Sequence, residues 1–359
     1  MSKGKVLVAM SGGVDSSVTA ALLKKEGFDV TGVTMRIWDG KESGAVASRP
    51  HSCYSPGEKL NIEDAKKVSS YLGFRHVVLD LRKEFRNIVL DYVVDEYLSG
   101  KTPNPCVLCN RMVKLSVLLD KATDAGIEFD YVATGHYVRN KFDEEKKRHL
   151  LLKARDKEKD QSYFLYMLSQ KQIAKCIFPL GNYMKKKVKR LAEEMDLPVK
   201  GKKESQDFFS GDISPLFMCK ENPGTIIDKK GNVLGEHKGI QYYTIGQRRG
   251  LGIAEGKPLY VVEIDKNNNS IVVGEKEDLF KDTLLANKLN WIAIENLNEE
   301  VEVTAKIRYL HPEAKALISP YGKDSVSVKF KKSQSAITPG QAVVFYKGDI
   351  LIGGGTIKK

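Results

Sequence analysis

Two short stretches carry residue types and spacings suited to chemistry. The first, "SGGVDSS" (11–17), sets two glycines, a carboxylate and two hydroxyls between an apolar run and a helical pattern. Gly12 and Gly13 let backbone amides close on an anion, and Ser16 and Ser17 open a helix whose N-terminus favours negative charge. Asp15 beside a phosphate is repulsive unless a divalent cation stands between them, and magnesium is the natural one. No lysine follows Gly13, which excludes the G-x-x-x-x-G-K-[ST] loop, and G-x-G-x-x-G is absent too. A plain strand-to-helix turn with a capping serine is the bland alternative. The second stretch, "GKTPNPCVLCN" (100–110), holds Cys106 and Cys109 as C-x-x-C. Two prolines fix an extended approach, and a helix is expected from Asn110. Cys109 then lies near a helix N-terminus beside Arg111 and Lys114, where a thiolate is favoured. The same spacing fits a redox dithiol, half of a metal site, or buried thiols without chemistry.

The elements that must position these residues are legible as patterns. "KVLVAM" (5–10) and "DVTGVTMRIW" (29–38) read as strands flanking a helix that ends near Gly27. Residues 61–74 read as a helix with Asn61 as N-cap, because Ile62, Ala65, Val68 and Leu72 recur at helical spacing. "RHVVLDL" (75–81) and "YVATGHYV" (131–138) read as further strands. This alternation predicts a parallel sheet with helices on both faces and a ligand at the carboxyl ends of its strands. The glycine loop, Met35, Gly135 and His136 would gather there; His136 reads as catalytic or as a positioning group. Beyond about residue 205, short alternating segments such as "QYYTIGQ", "PLYVVEID" and "SIVVGE" suggest small antiparallel barrels. The expected domains are 1–207, 208–282 and 283–359.

Composition sets the class. Hydrophobic residues at 42% and charged residues at 29% are ordinary for a globular protein. No apolar stretch has the length of a membrane span and no signal peptide is apparent, so a cytoplasmic protein without membrane contact is expected. The net charge of +12 suits a polyanion such as nucleic acid, or simply a basic soluble protein. "KKKVKR" (185–190) and "GQRRGLG" (246–252) are candidate phosphate contacts, against a solvated helix face and a tight hairpin turn. Five cysteines, an odd number, argue against a disulfide framework. Cys176 and Cys219 stand in apolar settings and read as packing residues.

"SGGVDSS" resembles the pyrophosphate loop (PP-loop) of ATP-pyrophosphatases, which cleave ATP between its first and second phosphates. "TPNPCVLCN", "ATGHY", "KDQSYFLYML", "PLG", "ESQDF", "GEHKGIQYYTIGQRRGLGI" and "TPGQAVVFYKGDILIGGG" follow in order. Together these resemble the bacterial tRNA-specific 2-thiouridylase (MnmA) family over nearly the whole chain. The resemblance implies an α/β PP-loop domain followed by two small β-rich, barrel-like domains. It implies ATP-dependent replacement of the 2-oxygen of the wobble uridine by sulfur, in tRNAs such as those for Lys, Glu and Gln. The sulfur would come from a donor such as a cysteine desulfurase or a sulfur carrier. Ala9, Met10, Ser11, Gly12, Gly13, Val14, Asp15, Ser16, Met35 and Gly135 would bind ATP, with magnesium at Asp15. Asn104, Pro105 and Cys106 match the segment that meets the target base. Lys159, Asp160, Gln161, Arg308 and Tyr309 match tRNA contacts, and Cys109 matches the nucleophile.

One departure stands out. Many members carry a second cysteine a few residues after "SQ", where this chain has Phe209, while Cys106 stands where many have aspartate. Cys53 is then expected to deliver or resolve the sulfur. Alternatively Cys53, Cys106 and Cys109 would hold an iron–sulfur cluster of the four-iron type, with one iron open. Rival readings of the chain are a PP-loop ligase or amidotransferase acting on a nitrogen nucleophile, and a non-catalytic RNA-binding module.

Overall fold

The computed structural model describes residues 2–40, 53–202, 214–217, 221–253 and 256–358. They fall into two compact units: Met1–Val89 with Cys106–Pro215 and Asp349–Leu351, and Leu90–Pro105 with Leu216–Gly348 and Ile352–Lys359.

The first unit contains β1 (Lys5–Ala9), β2 (Asp29–Arg36), β3 (Arg75–Asp80), β4 (Tyr131–Thr134), β5 (Val138–Asp143), β6 (Arg148–Lys153) and β7 (Cys176–Ile177). A sheet of order β3-β2-β1-β4-β7 is parallel at every pairing, and β5 and β6 form an antiparallel hairpin. In the centre, Val6, Leu7 and Val8 are all buried, the continuous apolar run of a strand covered on both faces. Helix α1 (Val14–Lys25) buries Val14 and every residue from Ser16 to Leu23. Its Ala20 and Leu23 face the sheet, while Val14, Val18, Ala21 and Leu22 pack with Val188 and Ala192 of the helix Lys185–Glu194. Small Ser, Thr and Ala side chains let both neighbours approach. Helix α2 (Glu58–Leu72) ends at Gly73, whose φ of +68° supplies the left-handed C-terminal turn. With β2 on one side of β1 and β4 on the other, the crevice at their carboxyl ends is the topological switch point of the sheet.

Two sequence expectations need correction here. "YVATGHYV" is not one strand: β4 stops at Thr134 and β5 begins at Val138. Gly135 lies so close to α1 that a Cβ on it would stand 2.9 Å from the Ser16 amide nitrogen, and the chain turns at that contact. Helix α2 starts at Glu58, with Gly57 at its N-cap, so Asn61 is inside the helix rather than capping it.

The second unit begins its sheet structure with β8 (Gly224–Ile227), β9 (Val233–His237), β10 (Tyr260–Asp265) and β11 (Ser270–Gly274), in the order β10-β11-β8-β9. The β8–β11 pairing is parallel, so this sheet is mixed rather than purely antiparallel. Ile226, Val261, Ile271 and Val273 form its core with Tyr243 and Leu251. "QYYTIGQ" is not a strand: Ile240 and Gln241 are both buried in a short 3-10 turn, where a strand would send them to opposite faces. Then β12 (Phe280–Trp291), β13 (Val301–Lys306), β14 (Ala314–Tyr321), β15 (Ser325–Ser335), β16 (Ala342–Lys347) and β17 (Ile350–Ile357) follow one another as β12-β15-β14-β13-β16-β17. A β12–β17 pairing, with Ala286 opposite Ile357, closes the six strands into an antiparallel barrel filled by Val303, Ile318, Val326, Val328 and Phe345. Among the described residues no helix is long and apolar enough to cross a membrane.

Candidate active site

The glycine loop sits at the end of β1. Gly12 has φ +69° and packs on α2 so tightly that a Cβ would meet the Asn61 carbonyl oxygen at 2.1 Å. Gly13, the N-cap of α1, has no side-chain cap, so the first-turn amides are left for an outside acceptor. Ser16 and Ser17 donate their hydroxyls back to the Gly13 carbonyl at 3.2 and 2.8 Å. The Ser16 hydroxyl also accepts the Ser11 amide at 3.2 Å. The serines thus brace the loop from within.

Side chains from distant segments complete this end of the sheet. Lys185 Nζ reaches both carboxylate oxygens of Asp15, at 2.7 and 2.8 Å, and is itself buried. The Tyr137 hydroxyl donates to Asp15 Oδ1 at 2.8 Å, and Lys185 Nζ lies 5.6 Å from the centre of the Tyr137 ring. Lys202 donates to the Gly12 carbonyl at 3.1 Å and to Asn61 Oδ1 at 2.8 Å, and pairs with Asp64 at 2.6 Å. Thr34 donates to the Met10 carbonyl at 2.7 Å and contacts His76 Nε2 at 2.8 Å. Burial lowers the His76 pKa to about 4, so its ring is neutral near neutrality. Glu58 accepts the amides of Ile37 and Trp38 at 2.6 and 3.0 Å, fixing the chain just past Met35. His136 Nδ1 lies 2.7 Å from Thr134 Oγ1. Burial and the Lys114 charge push its pKa down to about 3, so it too is neutral. The contacts of Lys185, Tyr137 and Lys202 at this loop were not legible in the sequence, because no local pattern reports partners 122 to 190 residues apart.

The cysteine side has a different character. A helical turn Pro105–Leu108 runs straight into a π-helical stretch Cys109–Val117, with Leu115 at non-helical φ −111°, ψ 20°. Gln172 spans this irregularity, donating to the Arg111 and Leu115 carbonyls at 2.8 Å each. It is held in turn by a capping box with Ser169. Asn110 donates to the Phe164 carbonyl at 3.3 Å and accepts Lys114 Nζ at 3.0 Å. Because the helix starts at Pro105, Cys109 falls inside it and is buried rather than standing at an N-terminus. Burial pushes its thiol up to about 11; Lys114 opposes the shift, and the Cys53 thiol adds to it. The expected resting thiolate is therefore a protonated thiol. Cys53 is exposed beside Tyr54, whose ring stacks on Phe85 with centroids 5.7 Å apart. Cys176 is buried, as expected of a packing residue. Phe209 and Cys219 lie outside the described residues.

Comparison with known proteins fits this layout. Residues 4–209 match a family model described as the tRNA methyl transferase HUP domain. Residues 217–275 match the tRNA methyl transferase PRC-barrel domain, and 281–357 the aminomethyltransferase beta-barrel domain. The tRNA-specific 2-thiouridylase MnmA 2 of Thermoanaerobacter sp. (strain X514) is 51% identical over 99% of this chain and 98% of its own length. The chain belongs to the MnmA family. The tRNA-specific 2-thiouridylases MnmA of Desulforamulus reducens and Caldicellulosiruptor saccharolyticus are 49% and 48% identical, each over 99% of this chain and over 97% and 99% of their own lengths.

The residues matched to MnmA tRNA contacts differ in how they are held. Asp160 is buried, and its carboxylate accepts the Ala154 and Ser162 amides at 2.9 and 3.3 Å and the Ser162 hydroxyl at 2.8 Å. Gln161 Oε1 accepts the Tyr137 amide at 3.0 Å, and its own amide donates to the Tyr137 carbonyl at 2.8 Å. Both therefore brace the loop that presents Lys159. In the second unit, Gln341 donates to the Thr102 and Pro103 carbonyls at 3.0 Å each, and Thr102 donates its amide to the Pro339 carbonyl at 2.9 Å. "TPGQ" thus holds the approach to Asn104 and Pro105. Arg308 donates to the Ser335 carbonyl at 3.4 Å, Lys306 lies over the Tyr309 ring, and Leu310 beside them is 89% exposed. "KKKVKR" is helical, with Lys186, Lys187, Lys189 and Arg190 exposed and Lys185 turned inward.

The residues fit a magnesium ion. It asks for one or two carboxylates, substrate phosphates and several waters, and Asp15 offers a part-exposed carboxylate beside the anion cradle. For an iron–sulfur cluster, no three or more His, Cys, Asp or Glu side chains converge where a metal would sit among the described residues.

Proposed function

We propose that the chain is a tRNA-uridine 2-sulfurtransferase that acts on the wobble uridine in two stages, divided between the glycine loop and Cys109. What carries this reading is the pairing of a braced anion cradle with a helix-borne cysteine in a chain about half identical to MnmA proteins along its whole length. Ala9 to Ser16, Met35 and Gly135 hold ATP, with its terminal phosphates against the first turn of α1. A magnesium ion at Asp15 would neutralise phosphate charge. The uridine 2-oxygen attacks the first phosphate and pyrophosphate leaves, which makes AMP the leaving group at C2. Asn104, Pro105 and Cys106 meet the base, which costs little to flip from an unpaired anticodon loop. Lys159, Arg308 and Tyr309 contact the tRNA.

Cys109 carries the sulfur as a persulfide received from a donor such as a cysteine desulfurase or a sulfur carrier. Its terminal sulfur attacks C2, the C2–O bond breaks, and AMP departs with the electron pair. The Cys53 thiolate then attacks Cys109 Sγ, so that the sulfur stays on the base and a Cys53–Cys109 disulfide forms. A thiol reductant returns both to thiols. Cys53 lies near enough to bear on the charge of Cys109, and this nearness supports the route for a chain with Phe209 at the family's second cysteine position. The substrates are the wobble-uridine tRNAs for Lys, Glu and Gln, in the cytoplasm.

The test incubates the protein with ATP, magnesium, unmodified tRNA and a persulfide donor, and reads 2-thiouridine by mass spectrometry. Product that requires both Cys109 and Cys53 supports the reading. Thiolation by C53A at the wild-type rate over many turnovers, or only by protein reconstituted with iron, overturns the Cys53 step. Pyrophosphate release with an amine incorporated instead of sulfur overturns the activity itself.

A further inference from the structure

The glycine loop lacks the lysine that the common phosphate-binding loop carries in its own sequence, yet a lysine stands beside it. Lys185 comes from the start of the helix Lys185–Glu194, which is packed onto α1 through Val188, Ala192, Val18 and Leu22. Its backbone amide is pinned by Asp156 Oδ2 at 2.8 Å, and its ammonium lies near the Tyr137 ring. The main chain and stem are therefore fixed, and the terminal ammonium is the part able to swing. It grips both oxygens of Asp15, in the first turn of α1, where the phosphates are to bind.

We propose that Lys185 is a phosphate-binding residue: it neutralises Asp15 while the site is empty and transfers to the ATP phosphates when magnesium takes the carboxylate. The charge balance favours the exchange. A metal on Asp15 competes with Lys185 for the carboxylate, and a buried ammonium that gives up an anion gains from taking another. A phosphate oxygen in the adjoining cradle supplies it, and lysine suits it as a point charge. Tyr137 keeps its hydrogen bond to Asp15 Oδ1, so the carboxylate stays in place while its cation changes. The proposal rests on the reading of the loop as an ATP site.

The test is calorimetric titration of the full-length protein with pyrophosphate and with ATP, each with magnesium, using wild type, K185M and K185Q. The glutamine variant keeps a hydrogen-bond donor for Asp15 and serves if the methionine variant does not fold. The expected result is at least a tenfold loss of pyrophosphate and ATP affinity in the variants. A variant with a lower melting temperature but wild-type affinity for both ligands overturns the proposal alone, since Lys185 then only stabilises the fold. Wild-type protein that binds neither ligand overturns the ATP-site reading and the proposal together.

Discussion

The two halves of the candidate site are prepared in opposite ways. At the glycine loop the groups are already in place: Asp15 is paired with Lys185 at 2.7 Å, and Gly12 is held against α2. At the cysteine helix the reactive group is neutral, buried and proton-bearing, with Lys114 too weak to reverse the effect of burial. The contrast teaches an order of events. A cradle that is formed before its ligand arrives can activate the uridine at once, whereas a protonated thiol is a poor nucleophile until its surroundings change. In the proposed mechanism this order puts sulfur chemistry after phosphate chemistry.

The most severe way to probe that contrast is to delete one half. C109A is expected to lower 2-thiouridine formation by about a thousandfold or more while leaving tRNA-dependent pyrophosphate release within about threefold of wild type. Loss of both together would mean that the halves do not act separately. G12A strikes the other half. A side chain at φ +69° that must also displace the Asn61 carbonyl is expected to cost about 2–4 kcal/mol in urea unfolding and to abolish ATP binding.

A gentler test concerns protonation. With its pKa raised to about 11, Cys109 is expected to react with iodoacetamide about tenfold faster for each pH unit between 7 and 10. K114M should move the midpoint higher and C53A lower, because Lys114 depresses the value and Cys53 raises it. A Cys109 that alkylates at a constant rate from pH 7 upward would erase the contrast. The smallest effect is expected from Q172A, which strands the Arg111 and Leu115 carbonyls in the π-helical stretch. A loss of about 1–2 kcal/mol in stability, and a modest slowing of thiolation with pyrophosphate release unchanged, would show that Gln172 serves only the sulfur half.

Sequence reading succeeded where structure is local. The strand, glycine turn and helix from Lys5 to Lys25 declare themselves by apolar runs and backbone requirements within a single window. It failed where a neighbour from elsewhere decides. Asn61 looked like a cap because its chemistry suits one, but the helix had already begun at Glu58, and the side chain serves Lys202 instead. Cys109 looked like a thiolate because the helix was expected to start after it; starting at Pro105, the helix carries the thiol into the interior. Lys185 was hidden in a basic run whose other lysines are solvated, and only packing singles it out.

The return of Asp349–Leu351 to the first unit has a consequence in time. Asp349 pairs with Arg139 at 2.7 Å and Lys157 at 2.5 Å, and Ile350 pairs with Leu152, all on or beside the hairpin that follows Tyr137. During synthesis on a ribosome, residues 1–215 emerge long before these last partners do. The unit that carries the glycine loop is finished only once residues 349–351 have been made, so a fragment released before them lacks the anchor of its own hairpin.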